Sequence, residues 1–116
     1  RTGRTADAMS ELRLALEKMV ELKVLPLRTA EARTALGFAL LQSGEPTEAE
    51  AFFRESLELR RNSLIEGHAA IAEAECGLGA ALAAQGKPEG RLVVERSLPR
   101  FRAWGLADPV YLALVR

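Results

Sequence analysis

His68 and Cys76 are the one histidine and the one cysteine of the chain, and a thiol beside an imidazole is a nucleophile beside its base. Placed on one helix, they stand eight positions apart, about 12 Å along its axis. Such a pair works at about 3 Å, so no dyad is expected within the chain. Helical metal sites need Glu-x-x-His or His-Glu-x-x-His, and neither occurs. The stretch from Gly79 to Gly86-Lys87-Pro88 looks superficially like a phosphate loop. Its glycine spacing is wrong, and Pro88 stands where Ser or Thr must hold magnesium. Cys76 is read as a small buried residue; Glu73 and Glu75 nearby disfavour the thiolate that redox chemistry needs. We therefore expect no catalysis, no metal and no cofactor.

The arginines offer a different chemistry. Arg91, Arg96, Arg100 and Arg102 crowd one stretch, and Arg60 and Arg61 end another. They read either as a patch for phosphate or an acidic partner, or as a solvated face, with Arg60 and Arg61 complementing the negative end of a helix. The balance of 16 Lys plus Arg against 16 Asp plus Glu favours the solvated face. It also gives no general attraction to nucleic acid. Glu50, Arg54 and Glu58 form a ladder at helical spacing, as on a solvent-facing helix. No apolar run reaches the roughly 20 residues of a membrane span. A single cysteine cannot build an internal disulfide and fits a reducing compartment, so a cytoplasmic location is expected.

The elements that must carry these residues are helices. Hydrophobic residues make up 48% of the 116 residues and aromatics only 5%. The apolar residues are mostly Ala and Leu, which are helix formers, so an all-α fold is expected. The chain also repeats itself. Ala35-Leu36-Gly37-Phe38-Ala39-Leu40 to Gly44 matches Gly77-Leu78-Gly79-Ala80-Ala81-Leu82 to Gly86 at an offset of 42. Thr47-Glu48-Ala49 to Ser56-Leu57 matches Pro88-Glu89-Gly90 to Ser97-Leu98 at an offset of 41, and Asp7-Ala8 to Ala15-Leu16 is a third copy. The aligned columns are Ala8, Ala49 and Gly90; Leu12, Phe53 and Val94; Ala15, Ser56 and Ser97; Leu16, Leu57 and Leu98. Small residues where helices cross and large ones beside them are what close helix packing requires.

Each repeat reads as two helices, A then B. Gly44 and Gly86 close A helices, and Pro46 and Pro88 open B helices, where a missing N–H is no loss. The expected map is B1 over 5–23, A2 over 28–43, B2 over 46–62, A3 over 68–85, B3 over 88–103 and a further A helix from 109, begun by Asp108-Pro109. The whole of 1–116 is one domain fragment, with full repeats over 28–62 and 68–103. Pro99 means that B3 either kinks or ends near Leu98, with Trp104 anchoring the connection that follows. Arg1 in place of Met, and the apolar run Val110-Tyr111-Leu112-Ala113-Leu114-Val115, point to an excised piece or to open ends that pack on a neighbour.

Leu36-Gly37, Leu40, Gly44, Glu48-Ala49, Phe53 and Ser56-Leu57 follow the order of the tetratricopeptide repeat family, and the resemblance extends over nearly the whole chain. The period of 41–42 exceeds the usual length of about 34, so the chain resembles the long variant of kinesin light chains. It is also similar to repeat regions of kinase-containing signalling proteins. The resemblance implies a right-handed helical-hairpin solenoid whose A helices line a groove for a protein or peptide partner. Carried over position by position, it places Glu31, Thr34, Phe38, Leu41 and Gln42 in that groove, with Glu73, Cys76, Ala80, Ala83 and Ala84 from the next repeat. The Lys, Arg and Asn of a carboxylate clamp are missing from those positions, so an amphipathic helix suits the apolar, acid-rimmed groove better. Alternatively, Phe38 and Leu41 pack against helices, and the chain serves as a structural, self-associating or regulatory segment of a larger signalling protein. Homo-oligomers would then form through the open repeat ends.

Overall fold

The computed structural model describes residues 3–21 and 25–103. They form five helices: α1 (Gly3–Glu21), α2 (Pro26–Gln42), α3 (Pro46–Ser63), α4 (Ala69–Ala84) and α5 (Glu89–Ala103). Each packs on the next in chain order, and α2 also touches α4. In the notation of the repeat, α2 and α4 are A helices, and α1, α3 and α5 are B helices. Among the described residues there is no strand, and no helix is long and apolar enough to cross a membrane. The further A helix expected from 109, Trp104, and the apolar run from Val110 lie outside the described residues.

The turns follow from local chemistry. Gly44 and Gly86 have φ of 82° and 81°, a left-handed conformation that glycine adopts without steric cost. At the first turn Glu45 N–H reaches Leu40 O at 2.8 Å and Gly44 N–H reaches Leu41 O at 3.2 Å. At the second, Lys87 N–H reaches Leu82 O at 3.0 Å and Gly86 N–H reaches Ala83 O at 2.9 Å. Both are Schellman closures, which satisfy carbonyls that the helix end would leave bare. Pro26 and Pro46 open α2 and α3. His68 lies outside α4 and caps it: its Nδ1 accepts the Ala70 N–H at 3.0 Å.

Phe53 of α3 is the centre of the core. It is 0% exposed, and its ring lies between Gly37 of α2 and Gly77 of α4. A Cβ at Gly37 would stand 2.8 Å from Phe53 Cζ, and one at Gly77 would stand 2.6 Å from Cδ1. Leu36, Leu40, Leu57, Leu78 and Leu82 fill the space around the ring. The second repeat makes the same crossing with a smaller wedge, since a Cβ at Gly79 would stand 2.7 Å from Val94 Cγ2. Beside the first crossing, Ser56 Oγ is 2.6 Å from Thr34 Oγ1 and donates to Ala30 O at 3.0 Å. The buried hydroxyls therefore satisfy one another, as burial demands.

Of the two outcomes expected at Pro99, an end of the helix near Leu98 does not occur. The helix α5 runs through Pro99 to Ala103, although a proline there removes a hydrogen bond and costs about 3 kcal/mol. The ring is exposed, and Val94, Ser97 and Phe101 on the inner face are buried. Phe101 packs with Ala72 and Cys76 of α4. That burial holds the last turn to the helix and offsets the loss.

Candidate functional site

The face expected to bind is built by α2 and α4. On α2, Glu31 and Gln42 are exposed, and Phe38 and Leu41 are half-buried. Phe38 meets Phe53 edge-on, with ring centroids 4.8 Å apart and planes at 68°. It also packs against the cluster of Ala72, Cys76 and Phe101, so it spans the A helices of both repeats. Leu41 lies against the main core. Both residues thus hold the repeats together and leave part of their apolar surface open.

The remaining expected residues are placed differently. Thr34 is buried on Ser56, and Cys76 and Ala80 are buried within α4's packing. None of these three offers a ligand any surface. Glu73 is half-buried and held by Arg60, whose Nη1 lies 2.9 Å from Glu73 Oε1 and 2.6 Å from Ala70 O. The accessible part of the expected face is therefore Glu31, Phe38, Leu41, Gln42 and Glu73, with the exposed Ala83 and Ala84 at the end of α4. It has no nucleophile: the thiol of Cys76 is enclosed, and the Nδ1 of His68 is engaged at the helix cap.

A neighbouring feature escaped the periodic reading. A cleft of about 360 Å³ at the start of α2 is lined by Leu25, Pro26, Leu27, Arg28, Glu31 and Ser63. Leu25 and Leu27 are both exposed. The run Leu25-Pro26-Leu27 has no helical period, and an apolar pair around an opening proline was its only trace in the sequence.

Ionic contacts on the outside bind helix to helix. Gln85 Nε2 donates to Glu50 Oε1 at 2.8 Å, Arg54 Nε donates to Glu50 Oε2 at 2.8 Å, and Lys87 Nζ lies 3.5 Å from Glu50 Oε1. The Gln85 hydrogen bond first, then that of Arg54, hold the Glu50 carboxyl below the usual carboxylate range; burial opposes them, and the charges of Arg54 and Lys87 add less. Glu75 takes Arg61 at 2.8 Å and Arg100 at 3.9 Å. Arg91 pairs with Glu95 at 3.4 Å within α5. Arg91 and Arg100 thus have acids beside them, while Arg96 and Arg102 are exposed.

A tetratricopeptide-repeat family model matches residues 28–90, more than half of the chain. No curated protein and no solved structure matches the chain.

Proposed function

Because the chain belongs to the tetratricopeptide repeat family, whose repeats generally mediate contacts between proteins, we propose that it holds a peptide or helix of a protein partner along α2 and α4. One observation carries this reading: Phe38 and Leu41 keep open apolar surface on α2, with the exposed Glu31 and Gln42 beside them. An amphipathic helix lays its apolar side on such a surface and its basic residues on the acids. Thr34, Cys76 and Ala80 support that face from beneath. The period of 41–42 residues fits the long variant of the family, and the balanced charge fits a cytoplasmic scaffold.

The test compares the wild-type chain with Glu31→Lys and Gln42→Lys in affinity purification with quantitative mass spectrometry. Both positions are exposed, so both variants keep the fold. Partners lost from these two and retained by Glu95→Lys on α5 support the reading. Partners retained by both α2 variants sink it.

A second reading, self-association through repeat stacking, is supported by α1. Ala8 and Ala15 are exposed there, whereas Ala49, Gly90, Ser56 and Ser97 in the same columns are buried. Concentration-dependent light scattering separates the two: a monomer at all concentrations removes self-association.

A further inference from the structure

Successive B helices leave a furrow between them with an A helix as its floor. Among the described residues there are two, between α1 and α3 and between α3 and α5. The repeat offsets of 41 and 42 align them residue by residue: Val20 matches Arg61, Leu59 matches Arg100, and Arg33 matches Glu75. In the second furrow ions fill the space. Arg61 and Arg100 close on Glu75 from both walls, and Ser97 Oγ lies 3.4 Å from the same carboxylate. The cleft left there measures about 280 Å³.

The first furrow lacks that plug. Its cleft measures about 440 Å³, with Leu16, Val20 and Phe52 on its walls and Glu17 and Glu55 at its rims. Val20 is 56% exposed. Arg33 is mostly buried, with a side chain 18% exposed and its Nε 3.4 Å from Glu55 Oε1. One turn earlier, Arg13 and Glu48 join α1 to α3 at 2.6 Å.

The walls and rims identify the guest, because Arg33 stands on the floor where the filled furrow has Glu75. Arg61 supplies an aliphatic stem and a cationic head that rests on an acid. In the open furrow both solvent-facing rims are acidic, so the complementary guest is again an alkyl stem with a cationic head, beside an apolar side chain for the walls. The Glu55 side chain is 55% exposed, so a second cation can reach it beside Arg33. We propose that this cleft docks a helical segment of a protein partner in which Leu or Phe lies one turn from Lys or Arg. The site is separate from the α2 face, and its fate does not depend on that reading.

The probe is a short fluorescein-labelled peptide of leucine and lysine at helical spacing, titrated by fluorescence anisotropy against its leucine–glutamate counterpart. Val20→Arg installs the residue that the filled furrow carries, at an exposed position. It should weaken the lysine peptide by about tenfold or more, and Glu17→Lys by about threefold. Leu92→Arg, on exposed α5, should stay within about twofold. Circular dichroism confirms that each variant folds, and Glu17→Lys serves if Val20→Arg does not. Equal binding of the two peptides, no binding of the lysine peptide, or no loss in folded variants overturns the proposal. So does light scattering that shows a wild-type dimer made monomeric by Val20→Arg, since the guest is then a second copy.

Discussion

The ring of Phe53 rests on the backbone of Gly77: a side-chain carbon at that glycine would stand 2.6 Å from Phe53 Cδ1. On its other side the ring meets Gly37. One aromatic residue of a B helix thus locks to the A helix of its own repeat and to that of the next. The α2 face stays aligned with α4 because this wedge fixes both.

Gly77→Ala should therefore destabilise the chain. Over-packing of this kind costs about 1–3 kcal/mol, and alanine returns up to about 1 kcal/mol of helix propensity. We expect a net loss of about 1–2 kcal/mol in urea unfolding. Phe53→Leu should recover part of that loss in the Gly77→Ala background while being destabilising alone, because the two positions are in contact. A midpoint for Gly77→Ala at or above that of the wild type would contradict the packing described.

Arg60 is 4% exposed and joins α3 to the first turn of α4 through Ala70 O and Glu73. Its replacement leaves a carbonyl and a carboxylate short of a donor. Arg60→Met should cost about 2–4 kcal/mol, since the partners of a removed buried charge keep their desolvation penalty. Arg61→Met, whose side chain is more than half exposed, should cost under about 1 kcal/mol. Chemical unfolding of the two variants makes the comparison, and equal losses would refute it.

The pH dependence follows from Glu50. Its folded-state pKa lies below the ordinary range for a glutamate, so its stabilisation is present above that range and fades as pH falls through the lower folded value. Glu50→Gln should lower stability by about 0.5–1 kcal/mol at neutral pH. The gap to the wild type should close as the solution is acidified. Unfolding midpoints over a pH series measure it, and a gap that is constant or widens in acid contradicts the assignment.

The fold was legible in the sequence because its packing is local and repeated. The columns of small and large residues are the crossings themselves: Gly37 with Phe53, and Gly79 with Val94. Gly44 and Gly86 marked turns because those turns need φ above zero. The candidate site was less legible. Thr34, Cys76 and Ala80 were expected in the groove from the family pattern, yet Ser56 covers the first, and Phe101 packs over Cys76 from a helix turn that Pro99 was expected to disrupt. Arg60 was read as complementing its own helix end, and its reach to Ala70 is tertiary. The ion-filled and open furrows differ by single residues, such as Val20 and Arg61, whose significance shows only once their walls are side by side.

The most direct test of the central claim is site-specific photocrosslinking within the full chain in its cell of origin. Benzoylphenylalanine replaces Gln42, beside Leu41 on α2, or Arg96, exposed on α5. The account predicts a partner protein crosslinked from Gln42 and absent from Arg96. Crosslinks from Arg96 with none from Gln42 would contradict binding along the α2 face.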